Sequence, residues 1–437
     1  MNSSTSDANS YLLVPITLTA VLLATAVIRG PNLVSAPGIG SAIIVAAPLI
    51  LATYALMVLA VAGRGTIDLA VGPLLAFINV VVVKLSTAGL LVSPISTFIV
   101  ALGLGMIYQL VFALVVIFIR VQPIIVALSG FLALTGINLI IMPRPGGIAP
   151  EFMQTWGLGV QIFTPILAIL AVATAGWYAF TTTSFYANLK MMGYDERAAW
   201  TSGVRTDFVR IGAHLIAGIY IGLGGICYTA LISSGDPTQG QNLTLTAVTA
   251  LVLGGVALSG GRGGVTGALL GALSLWLIGY VLATFNFGAI QAFMTQMIYG
   301  LILVLSLLLT LLVPVLGRYL RFISPWTIFL PLAMIVLGIM LHVATYTNYR
   351  GIQTAYNEPL ITKYFLFAPV RLGDTNWLSS PIQTFALLSG LSIISFIVVA
   401  RLSSAESGTR NMGVFPYLFI GILIFSAFIA GLLGTLP

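Results

Sequence analysis

Apolar residues in this chain come in long unbroken runs, not at the alternating or three-to-four-residue intervals of half-buried strands and surface helices. The runs lie at about Tyr11 to Ile28, Ser41 to Ala62, Ile67 to Val83, Thr97 to Ile119, Ile124 to Ile141, Ile162 to Phe180, Val209 to Ile232, Leu245 to Leu258, Val265 to Ala283 and Ile290 to Val313. An α-helix needs about 20 apolar residues to cross ~30 Å of hydrocarbon, so these runs predict ten spans. Three more, at about Trp326 to His342, Ile382 to Ala400 and Val414 to Leu433, raise the total to thirteen. The expected fold class is an all-α polytopic membrane protein. The leading MNSSTSDANS has no Lys or Arg, and no small-residue cleavage pattern follows the first run, which is therefore read as a retained helix and not a signal peptide.

Composition agrees with the pattern. Of 437 residues, 59% are hydrophobic and 6% charged, against about a quarter charged in soluble domains. With a mean hydropathy of +1.11, a soluble enzyme, a nucleic-acid-binding domain and a disordered chain are excluded. The formal charge of +7 is read as topology, since cytoplasmic loops collect Lys and Arg. An N-terminus inside puts Arg64, Arg120, Lys190, Arg197, Arg205, Arg210, Arg262, Arg318 and Arg321 near the inner face, against Arg29, Lys84 and Arg144 outside. One cysteine, Cys227, allows neither an internal disulfide nor a cysteine metal cluster. His214 and His342, far apart in the chain, make a poor metal or proton-relay pair. No metal or cofactor is expected.

Backbone at membrane depth must satisfy its own hydrogen bonds, so non-helical segments survive there only when buried in protein or lining a cavity. Two such breaks are visible, GRGTIDLAVGP at Gly63 to Pro73 and LGGVALSGGRGGVTG at Leu253 to Gly267. Both contain Gly-Arg-Gly followed by a small-residue helix, and because repeats with broken helices are common in transporters the pair leans toward a conduit for substrate. The broken-helix or gate residues expected here are Asp68, Gly72, Gly254, Gly255, Gly260, Gly261 and Arg262. Asp68 lies just ahead of an apolar helix, where it or Thr66 is expected to cap exposed N–H groups. A proton- or ion-coupling role is the alternative, but no second membrane acid or histidine offers it a partner in the sequence. The glycine-rich run lacks the Gly-Lys-Ser/Thr ending of a phosphate loop, and close helix packing accounts for most of its glycines.

The segment from Thr181 to Phe208 is the most polar stretch among the first ten runs. It holds Gly193, Asp195, Glu196, Arg197, Trp200 and Gly203, with a one-turn helical patch from Glu196 to Trp200, and Trp beside Arg is a common interface anchor. A solvated connecting loop is the plainer reading. Inside the spans, Asn79, Gln109, Asn138, Thr246, Gln291 and Thr295 suit a pathway for a neutral polyhydroxylated solute, although each is singly expected to pair between helices.

These motifs carry a family resemblance. The chain resembles the permease subunits of ATP-binding-cassette importers of the ribose, galactose and xylose class, whose wider family includes branched-chain amino acid permeases. GTIDLAVG at Gly65 to Gly72 is similar to that family's Gly-Ile-Asp-Leu-Ser-Val-Gly signature. Val116 to Gly136 resembles its Arg-Val-Gln hinge before an apolar helix, and Gly193 to Val204 its segment lying against the ATPase. Ala250 to Leu273 follows its Val-Leu-Gly-Gly-Thr-Ser-Leu-Ser-Gly-Gly-Arg-Gly run almost residue for residue. Sugar permeases often read Glu-Leu-Asp-Ala-Ile-Ala-Ala ahead of that run, where this chain has Thr244 to Ala250 with both acids replaced by threonine.

The resemblance implies a type II-like ten-helix permease core over about residues 38–321, preceded by a tail and first helix at 1–37. A C-terminal extension at 322–437 adds about three helices and an extracytoplasmic loop. It implies no catalysis in this chain. ATP hydrolysis would sit in a separate ATPase subunit, with an extracytoplasmic substrate-binding protein, a second permease copy and the bilayer of a bacterial inner membrane as partners, and no nucleic acid. The expected cargo is a pentose or hexose, with a nucleoside, polyol or amino acid behind it. An ion-coupled secondary transporter is the competing class.

Overall fold

The computed structural model describes residues 12–63, 66–91, 93–238, 240–285, 293–302 and 304. They form α1 (Leu13–Arg29), α2 (Ala36–Ala62), α3 (Val71–Thr87), α4 (Pro94–Leu114), α5 (Pro123–Ile141), α6 (Glu151–Trp156), α7 (Pro165–Thr181), α8 (Ser184–Tyr194), α9 (Glu196–Thr201), α10 (Thr206–Ile232), α11 (Gly240–Leu253) and α12 (Val265–Ala283). A short apolar helix, α13, covers Phe293–Ile302. The three C-terminal runs, the loop between them, Arg64, Gly65 and Gln291 lie outside the described residues.

Each apolar run from Tyr11 to Ala283 falls on a helix, but the runs are not equivalent. Among the described residues five helices are long and apolar enough to cross a bilayer alone: α2, α4 with its extension to Ile119, α5, α10 and α12. The chain bends by 81° between α7 and α8, and α1, α3 and α11 are shorter apolar helices. Helix starts follow local chemistry. Pro94, Pro123 and Pro165 open α4, α5 and α7, where the missing N–H costs nothing. The hydroxyls of Ser35 and Ser93 accept from the Gly38 and Ser96 N–H groups at the starts of α2 and α4. At its far end α4 loosens into a π turn over Val115–Ile119 and stops at Arg120, whose φ of 60° lies in the left-handed region.

Helix α2 runs through the centre and is buried on all sides for most of its length, as its uniformly apolar sequence requires. Helix α10 packs along both α2 and α4, α12 along α1 and α11, and α3 against α5, α10 and α11. The α4–α10 crossing is drawn close by glycine. A Cβ on Gly218 would stand 2.8 Å from the Met106 Cα, and one on Gly222 would stand 2.8 Å from the Leu102 Cα. Backbone therefore meets backbone, which is how membrane helices gain van der Waals contact without a hydrophobic driving force. Where α7 turns into α8, Trp177, Phe180, Phe185 and Tyr186 pack in tilted and edge-to-face pairs at centroid separations of 5.3 to 5.8 Å, with Phe208 of α10 6.0 Å from Phe185. Such pairs are favourable beyond their buried area. They hold α8 across the end of the bundle.

Glycines at this crossing are separable by substitution. Gly218→Ala is expected to lower the thermal unfolding midpoint in detergent, at a cost of roughly 1–3 kcal/mol for overpacking. Gly103→Ala, one turn away with nothing within 4 Å of the added methyl, is expected to stay within about 0.5 kcal/mol of wild type.

Candidate functional site

The two breaks meet at one point, and the third party there is Gly193 at the end of α8. A Cβ on Gly63 would lie 2.9 Å from the Gly193 Cα, and one on Gly260 would lie 2.5 Å from the Gly193 carbonyl oxygen and 2.6 Å from the Gly63 Cα. Gly193 in turn has no room for a side chain against the Val61 carbonyl. Gly63, Gly260 and Gly261 have φ of 88°, 104° and 71°, values that suit glycine and strain other residues. The Gly261 N–H donates to the Val61 carbonyl at 3.1 Å, tying the second break to the end of α2. Three strands of backbone thus touch without side chains between them, and the Tyr194 ring lies against Gly261.

From this junction the first break leads into α3. Asp68 is fully buried. Its Oδ1 accepts from the Ala70 N–H at 2.8 Å, just before the helix begins. The Gly72 N–H, inside the first turn, finds the Thr244 hydroxyl of α11 at 3.0 Å, and that hydroxyl donates to the Leu69 carbonyl at 3.0 Å. Pro73 has no N–H to satisfy. Two donors at the start of α3, the Ala70 and Gly72 N–H groups, are thus met by a carboxylate on one side and a hydroxyl from another helix on the other, and the carboxylate sits at the favourable end of the helix dipole. Capping is divided between Asp68 and Thr244. Thr66 instead donates to the Gly63 carbonyl at 2.9 Å and stabilises the turn behind the junction. Gly72 and Gly240 face each other at the same crossing, where neither tolerates a Cβ.

The second oxygen of Asp68 meets an amide, neither an acid nor a histidine. Gln109 of α4 donates its amide to Oδ2 at 2.6 Å, and the Gln109 oxygen lies 2.7 Å from Nδ1 of His214 on α10. All three side chains are at most 1% exposed. An ionised Asp68 only accepts, which turns the Gln109 amide nitrogen toward Asp68 and its oxygen toward His214, and the His214 tautomer that completes this chain is the one protonated at Nδ1. The close α4–α10 crossing sets this up. Gln109 is one turn beyond Gly105 on α4, His214 is one turn before Gly218 on α10, and Phe112 stacks on the imidazole at a centroid distance of 4.9 Å. A primary amide between acid and imidazole orients both but is a poor carrier of protons, so the arrangement is a brace rather than a proton wire.

Beyond α8, Asp195 caps α9 by accepting from the Arg197 and Ala198 N–H groups at 2.9 and 3.1 Å. The helix ends at Gly203, φ 87°, with Val204 N–H reaching the Ala199 carbonyl and Gly203 N–H the Trp200 carbonyl, a Schellman stop. Glu196 pairs with Arg210 of α10 at 2.9 Å. Trp200 is left 70% exposed, flanked by exposed Tyr194 and Phe208. Six residues are thereby held rigidly at both ends while presenting an indole outward.

A family model described as "Branched-chain amino acid transport system / permease component" matches residues 38–312. The chain belongs to this family. As a permease component it is the transport part of an importer and not an enzyme, ATP hydrolysis residing in a separate subunit, and it is a multi-pass inner-membrane protein, with five helices among the described residues able to cross the bilayer alone. It is similar to the ribose import permease protein RbsC of Escherichia coli, 29% identical over 249 residues that cover 55% of this chain and 76% of the relative. The ribose import permease protein RbsC of Bacillus subtilis is 29% identical over 250 residues, covering 56% and 76%. The D-allose transport system permease protein AlsC of Escherichia coli is 27% identical over 240 residues, covering 54% and 72%. No solved structure matches.

In this permease component the sequence-expected residues fall into two groups. Gly193, Gly260 and Gly261 converge on the junction and Asp68 and Gly72 on the start of α3, while Asp195, Glu196, Arg197, Trp200 and Gly203 build α9 and its ends. Gly254 packs on Gly267 of α12, and Gly255, φ 73°, turns the chain out of α11. Arg262 lies in the second break, its carbonyl accepting from the Ala257 N–H at 3.1 Å. The polar span residues bond backbone groups and other side chains of the protein. Asn79 donates to Thr229 and the Ser234 carbonyl and accepts from the Asp236 N–H, and Asn138 donates to the Pro73 carbonyl. Both are fully buried. Thr246 bonds the Asn242 carbonyl of its own helix, and Thr295 lies on α13.

Sequence reasoning gave no site role to Thr244, His214 or Arg210, and named Gly63 only as the start of the first break. Thr244 stood out only as a departure from the sugar-permease pattern, and Arg210 only as a topology charge. The available signal was spacing, since Arg210, His214 and Gly218 recur every four residues and so share one face of α10.

Thr244→Val keeps the shape but leaves the Gly72 N–H and the Leu69 carbonyl without their partner. A loss of about 1–3 kcal/mol is expected for the buried unpaired groups, read as a lower melting midpoint, with Thr244→Ser close to wild type.

Proposed function

We propose that this chain is the membrane permease of an ATP-driven monosaccharide importer, working beside an ATPase subunit, an extracytoplasmic binding protein and a second permease copy. The relatives named for ribose and allose support a pentose or hexose as cargo. Residues 38–321 would form a ten-helix core, and residues 322–437 an extension with about three further helices.

One observation carries the mechanical reading: the capped helix α9, with its exposed Trp200, adjoins Gly193, and Gly193 touches both breaks. On this reading α9 and the end of α8 face the cytoplasm and receive the ATPase. Closure of the nucleotide-binding subunits displaces Gly193, and the two breaks, being in backbone contact with it, move as one. Alternating access then follows from a shift of α3 and α12, the helices that leave the two breaks. The substitution of acids by Thr244 and Thr246 leaves this part of the path uncharged, which suits a neutral solute released by a binding protein.

The test is a reconstituted complex. Purified permease, ATPase and binding protein in liposomes are expected to accumulate labelled ribose or allose only with ATP and all three parts. Trp200→Ala is expected to weaken ATPase association by about 2 kcal/mol, near 30-fold in Kd. Accumulation without the ATPase, or unchanged association, would remove this reading.

A further inference from the structure

The coupling segment reaches the first break by a second route that does not pass through the glycine junction. Glu196, the first residue of α9, is paired with Arg210 of α10 at 2.9 Å. One turn along the same face of α10 stands His214, whose Nδ1 is 2.7 Å from the Gln109 oxygen, and the Gln109 amide donates to Asp68 Oδ2 at 2.6 Å. We propose that Glu196, Arg210, His214 and Gln109 form a polar strut that fixes the position of Asp68, and so the start of α3, to the position of helix α9. The proposal rests on the reading of α9 as the ATPase-facing helix. It makes Gln109 and His214 positioning residues for the gate, not contacts for the solute.

Three features favour a strut over a set of incidental bonds. Donors and acceptors alternate in only one sense, because the carboxylate at one end fixes the amide and the amide fixes the imidazole. The interior links are dry, with Asp68 and Gln109 wholly buried and His214 1% exposed, so no water replaces a partner that moves away. The members sit on stiff supports. Arg210 and His214 share the continuous 27-residue helix α10, and Gln109 and Phe112 are held against it by the Gly105–Gly218 crossing. The other arm of α9, through Gly193, ends at Gly63, five residues before Asp68. Both ends of the first break are then referenced to the same short helix, and a displacement of α9 shifts the break as a unit instead of folding it.

The measurement is solute accumulated per ATP hydrolysed by the complete reconstituted transporter, a ratio in which expression and reconstitution level cancel. Gln109→Met and His214→Leu are expected to lower the ratio at least roughly fivefold, the lower end of usual coupling energies. His214→Asn, whose amide N–H can stand where Nδ1 stands, should restore most of it. Glu196→Gln and Asp68→Asn are near-isosteric changes that leave the packing intact. If one strut joins them, the double variant falls little further than the worse single one. Wild-type ratios in Gln109→Met and His214→Leu, no rescue by His214→Asn, or independent additive losses in the Glu196–Asp68 cycle would each overturn the strut. Failure of ATP-dependent uptake in the wild-type complex would instead overturn the importer reading, so the two are distinguishable. Should the apolar variants not assemble, the Glu196–Asp68 cycle alone decides.

Discussion

Irregular backbone cannot be left bare in a bilayer, and this constraint organises the permease. Hydrocarbon offers no partner to an exposed N–H or carbonyl, yet the chain interrupts its helices twice, at Gly63–Ala70 and at Gly254–Gly264. Both interruptions are tolerated because they lean on each other and on Gly193, with Gly261 donating to the Val61 carbonyl and Thr244 and Asp68 supplying the start of α3. Glycine is required here for two reasons: positive φ at Gly63, Gly260 and Gly261, and clearance for a third backbone.

The charged and amide groups of the interior follow the same logic. A buried polar side chain is costly unless paired, and Asp68, Gln109, His214, Asn79 and the Asn138 amide N–H all have partners on a different helix or loop. Their bonds run across helices rather than along them. The result is a core in which α3, α4, α10 and α11 are keyed to one another by direction-specific contacts, something apolar packing between lipid-like surfaces does not supply.

Much of this was legible in the residue order. Long apolar runs marked the helices, and the two glycine-rich interruptions stood out because hydrophobic continuity is the strongest signal a membrane chain has. The polar Gly193–Val204 patch was visible for the opposite reason. What stayed hidden depends on which helices are neighbours. Nothing in the order of residues says that Gly105 lies on Gly218, and without that contact His214 looks like an isolated imidazole and Gln109 like a lone amide. Thr244 was hidden in the same way: its hydroxyl caps a helix that begins 173 residues earlier, at Val71. Helix lengths were also unreadable from hydropathy alone, because α3 and α11 owe their short extent to the adjoining breaks.

The bare-backbone contact at Gly193 separates two evolutionary tasks. Residues on the outer surface of α9, such as Trp200 and Arg197, are exposed, whereas its inner side is held by the Glu196–Arg210 pair and by the main-chain contact at neighbouring Gly193. Selection for a different docking partner can therefore rewrite the outer surface without disturbing the fit of the inner one. The two sides of this six-residue helix are thereby open to change independently of each other.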